Sequence, residues 1–267
     1  MTTQQPAGWF SLLETAVKNA ESDHLDLIVD QSGANTPLIP ALETFSPAIP
    51  WCSLFAGLPE ESEVDAAPLL IRINLGLLEQ RQWAEQLIQH LAKQPRLLTL
   101  CSAWSFNMLS EYFTACLDAT HCGQPGILRF FDPRIFPHLF THILLDSQQK
   151  HLLRPAMFWS WLDREGEPVW LTGDNASPSE EKPEKIDLDD QQLEQLLIVS
   201  DAEMLMCSFM RQNGLTRASE ALFHASYRAM REATAANIFL DQEREAFAWQ
   251  RLQQLQTDPY VVANDPL

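Results

Sequence analysis

The residue types that most readily do chemistry fall between Cys101 and His142. Cys101 and Ser102 close an apolar run, RLLTLC, and a strand end is a place where a nucleophile can be presented. No Gly-x-Ser-x-Gly elbow surrounds the pair, so a hydrolase built on Cys101 or Ser102 needs a base delivered by the fold. Cys116, His121 and Cys122 lie close together, but C-x4-H-C lacks the second ligand pair of a zinc site, and no metal is expected. His138 and His142 share a helix face at i, i+4 without a third ligand, which fits half-buried histidines better than a metal centre. Glu60, Glu61, Glu63 and Asp65 read as an exposed acidic loop rather than paired catalytic carboxylates. The nine glycines form neither a Walker loop nor a GxGxxG turn, so no nucleotide cofactor is expected, and no cofactor of any other kind.

A different kind of constellation sits in Gly126 to Phe140, GILRFFDPRIFPHLF. The run Ile127 to Phe131 has the composition of a buried strand. Asp132 then offers a carboxylate to a free backbone N–H, and Pro133 suits a first helical position because its missing N–H costs nothing there. Ile135, Phe136, Leu139, Phe140 and Ile143 follow at helical spacing. Arg129 and Arg134 flank Asp132 closely enough to hold it by charge-assisted hydrogen bonds. The expectation is a strand-to-helix corner pinned by Arg129, Phe130, Asp132, Pro133 and Arg134.

Aromatic side chains are concentrated around it. PAMFWSWL and EPVWL, separated by a turn at Asp163 to Gly166, predict a hairpin with Phe158 and Trp159 on opposite faces. A sheet with aromatics on both faces is either covered twice or offers one face to a partner. Trp51, Phe55, Phe158, Trp159 and Trp161 are therefore the candidates for lining a partner groove.

The elements that must position these residues follow from periodicity. Helices are expected over Trp9–Ala20, Leu75–Gln94 and from a Ser105 cap to Ala119, and strands over His24–Gln31, Trp51–Phe55, Leu69–Ile73 and Arg96–Cys101. The stretch 173–189 is polar, acidic and carries prolines, as a solvated linker does. Helices alone follow, over Asp190–Gln212, Leu215–Ala233 and Ala236–Gln256, and a frayed tail over 258–267. The fold class is thus α+β: a mixed α/β lobe with a small sheet over 1–172, the linker, and an all-helical lobe over 190–257. The chain has 267 residues, 46% of them hydrophobic, and a net charge of −18 without any basic stripe. That balance disfavours nucleic acid and anionic membrane as partners. No signal peptide or membrane-length apolar run is evident, and five irregularly spaced cysteines suit a reducing, cytoplasmic setting.

GILRFFDPRIFPHLF resembles the RFYDPRVL signature of the adaptor or chaperone domain that accompanies type VI secretion effectors, the Tap or Tec proteins. SLFAGLPEESEVDAAPLLIRI, HLDLIVDQS and AMFWSWL resemble further segments of that family in the same order, over about Leu25 to Leu171. Two features depart from it: LSEYFTACL replaces a basic helix ahead of the signature, and Ala67 and Leu69 stand where the family carries glycine and tryptophan. The resemblance implies a non-enzymatic cytoplasmic protein that binds a cognate secreted effector and helps load it onto the VgrG spike. On the same residues, the alternatives are a small hydrolase using Cys101 or Ser102, and an immunity protein bound to a toxin's catalytic domain.

Overall fold

The structure is a computed structural model that describes residues 8–34, 37–178 and 183–257. The expected tail over 258–267 lies outside these residues. The fold is α+β, with a sheet-containing unit and a helical one. The first compact unit comprises residues up to Leu162 together with Pro168–Asp189, and the second comprises Asp163–Glu167 and Asp190 onward.

In the first unit the order is α1 (Trp9–Asn19), β1 (His24–Asp30), α2 (Ile39–Leu42), β2 (Trp51–Ser53), β3 (Pro68–Asn74), α3 (Leu78–Leu91), β4 (Leu97–Cys101) and α4 (Phe106–Leu117). There follow β5 (Asp118–His121), β6 (Gln124–Ile127), α5 (Phe136–His138), α6 (Asp146–Leu153), β7 (Phe158–Leu162), β8 (Pro168–Thr172) and β9 (Ile186–Leu188). Six strands form one sheet in the order β2-β3-β1-β4-β7-β8, and every neighbouring pair is antiparallel. β1 lies inside it, and six of its seven residues are buried, so it reads HLDLIVD with apolar side chains towards both faces.

Strand alternation sorts the two faces. Leu25, Leu27 and Val29 of β1 join Leu69, Ile71 and Ile73 of β3 in a core with Trp9, Phe10, Leu13 and Val17 of α1 and Ala84, Leu87, Ile88 and Leu91 of α3. Trp9 also donates its indole N–H to Ser160 Oγ at 3.0 Å, tying α1 to β7. Asp26, Ile28 and Asp30 of β1 face the other way, together with Leu70, Arg72, Leu98, Leu100, Trp159 and Trp161. That second face is covered by α4 and by the segment leading to α5. Phe113 of α4 lies 5.4 Å from Trp159, and Phe136 of α5 lies 4.9 Å from Trp159 and 5.3 Å from Trp161, between ring centroids.

Three local expectations are corrected. Ile127–Phe131 is not a strand: the strand is the polar Gln124–Ile127, and the apolar run turns tightly, with Phe130 N–H donating to the Leu128 carbonyl at 2.8 Å. Leu128, Phe130 and Phe131 are buried all the same, which is why hydropathy mistook a buried turn for a strand. The helix after Asp132 is shorter than its periodicity suggests, a single α turn at Phe136–His138 followed by a π turn over Leu139–Ile143 in which Leu144 N–H reaches Leu139 O at 2.9 Å. The stretch 173–189 is not wholly a solvated linker. Ile186 and Leu188 alternate inward in β9, which pairs in parallel with β5 beside β6 to make a second, three-stranded sheet.

In the second unit α7 (Asp190–Gln212), α8 (Glu220–Ala235) and α9 (Asp241–Thr257) pack mainly through α8. The Ser219 side chain caps α8 by accepting Leu222 N–H at 3.1 Å. Arg164 lies with its Cζ 3.7 Å from the centroid of the Phe223 ring and donates to Glu220 Oε2 at 2.7 Å and to Glu203.

Candidate functional site

Two aspartates on the second face of β1 set up the site. Asp26 is fully buried and takes Arg72 of β3 in a bidentate pair, Nε to Oδ1 at 2.7 Å and Nη2 to Oδ2 at 2.8 Å. The same arginine donates Nη1 to the Trp104 carbonyl at 2.8 Å, so it also fixes the start of α4. Burial pushes the Asp26 carboxyl up from its ordinary value, against the opposing pull of Arg72.

Asp30, four residues on, is 3% exposed and accepts from Arg129 Nη2 at 3.0 Å. Arg129 reaches on to Asp132 Oδ2 at 3.7 Å and lies over the Phe131 ring at 4.9 Å. Asp132, 2% exposed, accepts the Arg134 backbone N–H at 3.0 Å and its Nε at 2.9 Å on Oδ1, and its Nη2 at 2.7 Å on Oδ2. Asp30, Arg129, Asp132 and Arg134 therefore form a charge-alternating chain from the end of β1 to the start of α5. Pro133 lies between Asp132 and Arg134, and the Asp132 carbonyl accepts the N–H groups of Ile135 and Phe136. Phe130 is fully buried against Phe113, with ring centroids 5.6 Å apart. Asp30 was not singled out from the sequence. Its only signal was a second acidic residue, in register with Asp26, in a strand otherwise rich in aliphatic residues.

The partner-lining aromatics are distributed differently from expectation. Trp159 is fully buried, donates Nε1 to the Leu152 carbonyl at 3.1 Å, and belongs to the core. Trp161 and Phe55 are also buried, Phe55 with its ring 6.5 Å from Phe131. Trp51 and Phe158 are half-buried against the α1 and α3 core. These five do not line one open groove, because α4 and residues 128–143 of the same unit cover the face that Trp159 and Trp161 occupy.

An open groove of about 680 Å³ lies instead beside α4. Cys52 and Ser53 of β2 and the turn Ala56–Leu58 form one wall, α4 from Met108 to Ala115 forms the other, and Trp104 contributes to the lining. Phe55, one residue before this turn, touches Phe131 of the corner, so the ion-paired chain underpins one wall of the groove. Asp118 and Lys185 also line it and pair at 2.5 Å. Cys52 offers little nucleophilicity there, since burial pushes its thiol up to about 11.

The other candidate nucleophiles are enclosed. Cys101 is fully buried, its thiol raised by burial, with Sγ 3.9 Å from Met157 Sδ. Ser102 donates Oγ–H to the Pro155 carbonyl at 2.6 Å and accepts Trp104 N–H. His138 and His142 stack with centroids 5.9 Å apart, and His138 is buried. Cys116 is buried while Cys122 is exposed at the β5–β6 turn. Glu61, Glu63 and Asp65 are exposed, around a 3-10 turn at Val64–Ala66. Among the described residues no helix is long and apolar enough to cross a membrane.

Residues 27–151 match the model of a protein family described as Domain of unknown function (DUF4123). The match begins within β1 and ends within α6, and so includes Asp30, the corner and both main walls of the groove. No curated protein and no solved structure matches the chain.

Proposed function

We propose that this protein is an adaptor, or chaperone, that binds a secreted effector of a type VI secretion system in the cytoplasm and helps load it onto the VgrG spike. The observation that carries the reading is the coincidence of two features on the same residues. The RFFDPR stretch that resembles the adaptor signature falls inside the family match over residues 27–151, and its Arg129, Asp132 and Arg134 form the ion-paired chain beside the groove.

The physical case is consistent with a binding role. A secreted protein that exposes an apolar segment before export is prone to aggregate, and a carrier that shields the segment removes that hazard. The net charge of −18 keeps the carrier soluble and favours a partner of opposite sign. The hydrolase alternative finds little support, because Cys101 is buried with a raised thiol and the Ser102 hydroxyl is committed to a backbone carbonyl.

Co-expression with the products of neighbouring genes, each truncated from either end, tests the reading. An adaptor retains the partner's loading region when the toxin domain is removed. Retention of the isolated catalytic domain alone would identify an immunity protein instead.

A further inference from the structure

The groove beside α4 has a one-sided chemistry. Its accessible apolar surface comes from Leu58 and Met108, with Met108 39% exposed, while Trp104 on the lining is 3% exposed. A methionine in such a place is an adaptable contact, since its unbranched thioether conforms to different apolar side chains. Of the charged residues on the lining, Asp118 pairs with Lys185, which leaves Glu111. Glu111 is exposed on α4 and lines the groove, and beyond the lining the chain continues from Leu58 into Glu60, Glu61, Glu63 and Asp65. The Lys185 ammonium on the lining is already paired with Asp118, and the other five carboxylates have no ion-pair partner among the described residues.

We infer that this groove receives a short basic amphipathic segment of the partner protein. An apolar side chain of the segment sits on Leu58 and Met108, and lysines or arginines face Glu111 and are attracted by the acidic stretch Glu60 to Asp65 that follows Leu58 in the chain. The inference rests on the adaptor reading and adds to it where the partner docks and what chemistry it must carry. A phosphate backbone meets the wrong sign of field here, and an acidic segment is repelled by the same carboxylates.

The test uses the full chain and fluorescein-labelled leucine–lysine peptide, with leucine–glutamate and serine–lysine peptides as controls, read by fluorescence anisotropy. The leucine–lysine peptide is expected to bind, to weaken with added salt, and to lose about tenfold in affinity, or 1.4 kcal/mol, in Glu111→Lys and in Met108→Asp. Both side chains are exposed, and unchanged melting curves of the variants establish that the loss is local. The assignment is overturned if the leucine–glutamate or serine–lysine peptide binds equally well, if the leucine–lysine peptide does not bind, or if both variants bind it as wild type does. A second arm separates this failure from that of the adaptor reading. If a neighbouring-gene effector co-purifies with wild type and equally with both variants, the adaptor reading stands and the groove assignment falls. If it does not co-purify with wild type, the adaptor reading falls and takes the groove with it.

Discussion

Asp132→Ala removes the centre of the ion-paired chain, and its cost can be worked from the contacts. The carboxylate accepts the Arg134 backbone N–H and two guanidinium N–H groups of Arg134, with Arg129 at 3.7 Å. Losing the backbone contact costs about 1 kcal/mol, as for a helix cap. The guanidinium contacts add less than a buried pair would, because Arg129 and Arg134 are each 42% exposed and water solvates what the aspartate releases. A total of about 2–3 kcal/mol follows. Urea unfolding followed by tryptophan fluorescence reads this, since Trp104, Trp159 and Trp161 are buried in the same unit. The expected result is a lower midpoint at unchanged slope. Asp30→Asn probes the same chain from its other end. Because Arg129 lies between the two aspartates, the double variant is expected to depart from additivity by at least about 0.5 kcal/mol. Wild-type stability in Asp132→Ala, or strict additivity in the double variant, would refute the description of the corner as one coupled network.

Trp159→Ala is expected to cost about 3–5 kcal/mol, as a fully buried aromatic in contact with Phe113 and Phe136, and Trp159→Phe less, both read by chemical denaturation. Gly173→Ala is expected to destabilise by about 1–3 kcal/mol, because a Cβ there meets the Ala156 carbonyl oxygen at 2.0 Å; a melting temperature equal to wild type contradicts this close approach. Burial lowers the folded pKa of His151 and of His224, so between that value and about 6.5 the unfolded chain holds more protons than the folded one. Stability is then fully present above that window and is lost as pH falls through it. His151→Gln and His224→Gln are expected to flatten this slope in denaturation curves taken across mildly acidic pH.

The residues that could be read directly are those whose local pattern and tertiary role agree. HLDLIVD, PLLIRIN and RLLTLC become β1, β3 and β4 because each carries enough aliphatic surface to be a covered strand, and Ser105 caps the helix that follows it. The pairing of Arg134 with Asp132 was legible because the two are only two positions apart in the chain. Asp30 was not, since Arg129 reaches it across 99 residues of sequence. Alternation puts Phe158 and Trp159 on opposite faces, as in the fold, but what covers the Trp159 face depends on where α4 and residues 128–143 return. β5, β6 and β9 escaped notice because they are short, and in β6 all but Ile127 are exposed; only pairing makes such residues a sheet. The groove was invisible for a related reason: one wall comes from β2 and its turn, the other from a helix some fifty positions later, and neither is unusual alone.

Measuring export tests the proposal that this protein carries one secreted effector. With this gene deleted and the secretion apparatus intact, the neighbouring effector is expected to disappear from the medium while other substrates of the same apparatus still reach it, and a plasmid copy is expected to restore it. Undiminished export of that effector without this protein would contradict the claim.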